Sequence, residues 1–116
     1  METDSEHYMG DFVQGKLTGY GRYWSSFSFY EGFWKDGKMD GYGIEIMSNS
    51  DVYLGEYVKG RKEGLGFYLF EKGGYYYGFF KNNEKTEMGA LYYSNYNSYY
   101  LGEFKLDERN GRGMHM

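Results

Sequence analysis

The chain has no cysteine, no proline, only two histidines and no net positive charge. Without cysteine there is no disulfide framework, thiolate metal site or cysteine nucleophile, a usage that fits an intracellular setting. His7 and His115 stand near opposite ends of the 116 residues, so neither a catalytic dyad nor a histidine metal site follows from them. A formal charge of −4 argues against nucleic acid as a partner, because such binding needs concentrated positive charge to displace counterions from phosphates. No apolar run approaches the length of a membrane-spanning helix, no Asn-x-Ser/Thr sequon occurs, and no segment has a helical period. The opening Met-Glu-Thr-Asp-Ser-Glu-His is acidic and polar, unlike a signal or transit peptide, and residues 1–7 are expected to form a short tail.

Aromatic residues and glycine are what the chain has in excess. Aromatics make up 23% of it, 16 of them tyrosine, and there are 19 glycines. Aromatic rings fit a pleated surface and glycine weakens helices, so this composition predicts strands and turns. The length suits one domain.

Internal repeats organise the whole of it. Tyr-x-Gly recurs at Tyr8, Tyr30, Tyr53, Tyr76 and Tyr100, and an aromatic follows four residues after each tyrosine: Phe12, Trp34, Tyr57, Phe80 and Phe104. Nine residues beyond the Tyr-x-Gly glycine comes a Gly-x-Gly pair, Gly19/Gly21, Gly41/Gly43, Gly64/Gly66 and Gly111/Gly113. The fourth repeat departs, with Glu87 at the first glycine position and Gly89 kept. This divides the chain into repeats 8–29, 30–52, 53–75, 76–99 and a shorter 100–116.

Each repeat reads as a β-hairpin. In the second, Asp36-Gly37 sits between two strand-like runs, and such a turn requires positive φ. Gly15, Gly37, Gly60, Asn83 and Asp107 share that position, the three residue types most tolerant of a left-handed backbone. Lys16, Lys38, Arg61, Glu84 and Glu108 follow as solvated tip residues. In the second strand of the second repeat, Tyr42, Ile44 and Ile46 alternate with Glu45, which predicts an apolar face and a polar face.

The pattern Tyr-x-Gly-x-aromatic, turn, Gly-x-Gly resembles the MORN repeat (membrane occupation and recognition nexus), most closely at Tyr30 to Ile46 and in register over residues 8–116. Glu87, the missing inter-repeat proline and the short last repeat depart from the family's pattern. The resemblance implies an all-β fold, an elongated, single-layer, twisted antiparallel sheet of tandem β-hairpins paired edge to edge. It also implies an interaction scaffold of cytoskeletal, ciliary or membrane-junction assemblies, or an accessory domain of a larger enzyme.

With strands about 4.8 Å apart and two per repeat, five repeats span roughly 50 Å. By the two-residue period Tyr30, Gly32 and Trp34 share a face, so the five tyrosines and the five aromatics form two ladders, with glycine leaving room for rings over the backbone. Ring packed on ring makes these ladders the core. Where a single sheet leaves its face uncovered, the same ladders line a groove for an extended peptide or an amphipathic helix of a protein partner. That groove comprises Tyr8, Phe12, Tyr30, Trp34, Tyr53, Tyr57, Tyr76, Phe80, Tyr100 and Phe104.

Two further readings stay open. Unpaired edge strands offer self-association, and basic residues at the tips, Lys16, Lys38, Arg61 and Lys62, offer contacts to phosphoinositides or another anionic membrane surface. No cofactor, metal site or enzyme activity is expected, because the Gly-x-Gly pairs lack the third glycine and the helix of a phosphate-binding loop. The expected setting is the cytoplasm, at the cytoskeleton, the cilium or the inner face of a membrane.

Overall fold

A computed structural model describes residues 5–95 and 97–115; residues 1–4 of the expected tail, Tyr96 and Met116 lie outside the described residues. Ten strands follow one another: β1 (His7–Val13), β2 (Lys16–Trp24), β3 (Phe29–Lys35), β4 (Lys38–Ile46), β5 (Val52–Val58), β6 (Arg61–Leu69), β7 (Tyr75–Lys81), β8 (Glu84–Tyr93), β9 (Ser98–Lys105) and β10 (Glu108–His115). They form one open antiparallel sheet in sequence order, each strand bonded to its neighbours in the chain, with β1 and β10 at the edges. The protein measures 49 × 31 × 18 Å, the length expected for five hairpins side by side.

The hairpin turns set this order. Gln14-Gly15, Asp36-Gly37, Lys59-Gly60, Asn82-Asn83 and Leu106-Asp107 all have positive φ at both residues, the signature of a type I′ turn. Its backbone twist matches that of the flanking strands, so each pair closes without splaying. Neighbouring tips are also stitched together. Gly37, Gly60, Asn83 and Asp107 each donate a backbone N–H to a carbonyl of the preceding hairpin, on Leu17, Met39, Lys62 and Lys85. Asn83 and Asp107 do more than imitate glycine: their side chains accept the backbone N–H of Lys62 at 2.9 Å and of Lys85 at 2.7 Å.

Each hairpin carries a bulge where Gly-x-Gly begins. The register slips between Gly32 and Trp34 in β3–β4 and between Gly55 and Tyr57 in β5–β6, with Gly41 and Gly64 at positive φ. Glu87 adopts φ 55 at the same position, so the fourth hairpin keeps the bulge at the cost of a strained side-chain-bearing residue.

The core lies on one face only. Tyr30, Trp34, Tyr53, Tyr57, Tyr76, Phe80, Tyr100 and Phe104 are buried there, with Tyr53 and Tyr76 wholly inaccessible. Tyr53 is representative. Its ring lies over Gly55 and Gly66, which face each other across β5 and β6, and its hydroxyl donates to the Glu56 carbonyl at 3.0 Å. Tyr30, Tyr76 and Tyr100 do the same to Phe33, Phe79 and Glu103. From the second repeat onward the second aromatic stands edge-on between two tyrosines, as Tyr57 does at 5.3 Å from Tyr30 and 5.2 Å from Tyr53.

The first repeat differs. Leu17, not Tyr8, fills the space over Gly10 and Gly21, and Tyr8 turns outward to bond Glu6 and pack on Tyr23. Tyr8 and Phe12 are 46% and 52% exposed, unlike their eight counterparts.

A methyl group at Gly66 would stand 2.5 Å from Tyr53 Cε1, whereas Gly60 has nothing within 4 Å and only its φ of 82 to defend. Gly66→Ala is therefore expected to cost about 3 kcal/mol by displacing a buried ring, against about 1 kcal/mol for Gly60→Ala. Urea unfolding of the two variants checks the ranking.

Candidate functional site

The two faces of the sheet have different chemistry. On the core face a second column of side chains pairs with the aromatic ladder: Leu17 opposite Phe12, Met39 opposite Trp34, Lys62 opposite Tyr57, Lys85 opposite Phe80 and Arg109 opposite Phe104. In the last three hairpins that residue is a cation above a tyrosine ring. Lys62 Nζ is 5.4 Å from the centre of Tyr53, Lys85 Nζ is 5.6 Å from Tyr76, and the Arg109 guanidinium is 5.6 Å from Tyr100. Lys62 is thus not the tip cation expected from its place near the turn: it packs on the core face, and its burial pushes the ammonium pKa down. Lys16, Lys38 and Arg61 are exposed first residues of their strands. Lys16 and Lys38 join Lys35 and Lys59, with Asp36 and Asp40, around a 460 Å³ hollow at the tips.

Glu45 also stands on the core face. It pairs with Tyr30 in the sheet register and accepts the Tyr57 hydroxyl, while Tyr42 and Ile46 are exposed on the opposite side. The two faces expected for β4 are thus present, and the apolar one, with Tyr42 and Ile46, is the side turned away from the ladder. The tyrosine over Gly32 and Gly43 decides which side is packed, and Glu45 is two residues from Gly43.

The opposite face is open and mostly apolar. One row crosses the sheet through Tyr20, Phe33, Tyr42, Glu56, Leu65, Phe79, Met88 and Glu103, each directly paired with a neighbour or in contiguous register. Tyr20, Phe33, Tyr42, Leu65, Phe79 and Met88 are all exposed. Further along the strands Phe67, Tyr75, Tyr92 and Tyr99 cluster, with the Tyr75 and Tyr99 hydroxyls 3.0 Å apart. Its charges are of both signs: Glu31, Glu56 and Glu103 stand along it, and Lys35, Lys81 and Lys105 share it toward the tips by the two-residue period. Glu31 is bound by Arg22 at 3.1 Å, whereas Glu56 and Glu103 have no ion-pair partner among the described residues.

Eight of the ten expected groove residues are therefore interior, their surfaces used against glycine and one another, and only Tyr8 and Phe12 remain accessible. The face that is available was not anticipated. Its signal lay among the residues just after the Tyr and the Gly of the signature, where Leu54, Tyr77, Leu101, Phe33 and Phe79 are apolar on the side away from the ladder, interspersed with Asp11, Glu31, Glu56 and Glu103. His7 and His115 stand on strands at opposite edges of the sheet.

The MORN repeat family model matches residues 8–27, 30–52, 53–75 and 100–115, more than half of the chain. The protein therefore belongs to the MORN repeat family, whose repeats serve generally in protein and membrane interaction. The hairpin outside the matched segments is the one that carries Glu87. No curated protein matches the chain.

Burial raises the phenol pKa of Tyr30, Tyr53, Tyr57 and Tyr76, and Glu45 adds to the effect at Tyr57. These phenols stay neutral in the folded state at pH values where the unfolded chain ionises near 10. The unfolded state then holds fewer protons, so stability is complete below pH 10 and is lost as pH rises above it, by about 1.4 kcal/mol per pH unit for each such phenol. Unfolding free energies measured from pH 8 to pH 11 are expected to be flat and then to fall steeply.

Proposed function

We propose that the protein is a non-enzymatic scaffold of the cytoplasm that receives an amphipathic helix of a protein partner on its open face. The observation that carries this is the row of exposed apolar side chains from Tyr20 to Met88, which runs across the strands over most of the array. Soluble monomers rarely leave so continuous an apolar surface uncovered. Aromatic residues with few charges between them are typical of interface centres.

Charge selects among occupants. Glu56 lies in the middle hairpin and Glu103 in the last, within or beside the apolar row. A second copy stacked face to face about a central two-fold would bring Glu56 against its own equivalent, a repulsion without compensation in an apolar contact. A helix with an apolar ridge and flanking lysine or arginine satisfies both carboxylates and the apolar row. Along the 49 Å dimension such a helix runs to roughly 30 residues.

A Leu/Lys helical peptide of about that length is expected to bind, and a Leu/Glu peptide of the same pattern is not. Leu65→Ser with Phe79→Ser is expected to weaken binding by at least roughly tenfold in titration calorimetry, through lost apolar contact. Equal binding of the acidic peptide, or survival of binding in the double variant, would contradict the proposal. Sedimentation with anionic vesicles that depends on Lys38 and Lys59, without peptide binding, would move the function to the hairpin tips.

A further inference from the structure

Between the first two hairpins the core face opens into a cavity of about 510 Å³. Its walls include Tyr8, Tyr23, Tyr30, Trp34, Met39 and Glu45. Tyr8 and Tyr23 are 5.0 Å apart, Tyr8 and Trp34 6.2 Å, and Tyr30 and Trp34 5.1 Å, the last two pairs edge to face. Glu6 stands beside Tyr8, whose hydroxyl it accepts. Neither Glu6 nor Glu45 has an ion-pair partner among the described residues. Lys38, which follows the turn Asp36-Gly37, and Lys59, in the turn Lys59-Gly60 of the third hairpin, also line it. Trp34 is 8% exposed, and its Nε1 is the buried side-chain polar atom without a hydrogen-bond partner among the described residues.

The same chain shows what such a surface takes. Wherever the register position opposite the second aromatic is basic, the cation sits over a tyrosine: Lys62, Lys85 and Arg109. At the second hairpin that position is Met39, and at the first it is Leu17, which is buried over glycine. The first two repeats thus have the aromatic surface and two carboxylates but no cation at that register position, the lysines of the cavity, Lys38 and Lys59, belonging to the hairpin tips. The cavity lies there.

We propose that this cavity binds a cationic head group supplied by another molecule, a methylated ammonium or a guanidinium, seated against the tyrosine and tryptophan rings with Glu45 and Glu6 as counter-charges. Weakly hydrated cations suit it, because aromatic walls replace little of the hydration of a bare ammonium. The outward turn of Tyr8, which distinguishes the first repeat from the other four, gives the cavity one of its walls. The site is on the face away from the open apolar row and stands independently of the helix-docking reading.

The probe is tetramethylammonium chloride, titrated against sodium chloride at equal ionic strength and followed by the indole N–H resonances in two-dimensional nitrogen–proton spectra. Saturable shifts of Trp34 beyond those of sodium chloride are expected, with Trp24 as the internal control. Met39→Lys places a cation in the register position used by Lys62, and is expected to keep the fold while weakening binding roughly tenfold, the order of one cation–π contact. Glu45→Gln is expected to weaken it several-fold, and Met39→Leu to leave it unchanged. Shifts that match sodium chloride, or undiminished binding in Met39→Lys, would overturn the proposal. A Met39→Lys protein that failed to fold would also overturn it, since the site rests on the equivalence of that position across hairpins.

Discussion

The whole array depends on one contact, a tyrosine ring laid over a pair of glycines on adjacent strands. A sheet of one layer has no second layer to bury its side chains, so it must make a core from its own backbone. Removing the Cβ at Gly55 and Gly66 lowers the floor, and the ring of Tyr53 lies in the depression with its hydroxyl satisfied by the Glu56 carbonyl. The buried polar tip thus carries no desolvation debt, which would otherwise amount to about 1–3 kcal/mol. Edge-on aromatics from neighbouring repeats close the gaps, and Tyr57 touches both Tyr30 and Tyr53. Each hairpin, marginal alone, is therefore stabilised by its neighbours in the manner of a linear repeat array.

Much of this was legible in the residues. The spacing of Tyr-x-Gly and Gly-x-Gly gave the hairpins, and the residue types at Gly37, Asn83 and Asp107 gave the left-handed turns that are observed. The ladder of the first strands was legible as the core, and eight of its ten residues are buried there; what was not legible is which side of each second strand meets it. A two-residue period says that Tyr42, Ile44 and Ile46 lie together, but not whether they lie inside, and they lie outside because the core here is made of tyrosine over glycine. Lys62 was read as a tip residue because it follows the turn by two positions. Its pairing with Tyr57 places it over an aromatic ring, and ladder pairing depends on the bulge, which single-strand counting does not supply. Tyr8 matches its relatives in sequence and differs in placement, because Leu17 takes its site over the glycines. That competition between two side chains has no signature in the tyrosine itself.

The functional consequence is a division of labour between faces. The ladder face is filled along most of the 49 Å length, and a cavity of about 510 Å³ lies on it beside Tyr8 and Trp34. The other face is supported by that core without being needed for it, which frees its side chains to vary from repeat to repeat. A sheet of this kind presents a long apolar row punctuated by carboxylates, and family membership agrees with an interaction role while fixing no partner.

Ring currents offer the most direct test of the tyrosine-over-glycine core. The α-protons of Gly43, Gly66 and Gly89 lie against the rings of Tyr30, Tyr53 and Tyr76, whereas Gly21 lies against Leu17. Assigned proton spectra are expected to show the first three glycines shifted upfield, with the shift lost at Gly66 in Tyr53→Leu and absent at Gly21 in the wild type. Ordinary glycine shifts at all four positions would contradict the packing from which the rest of the structure is derived.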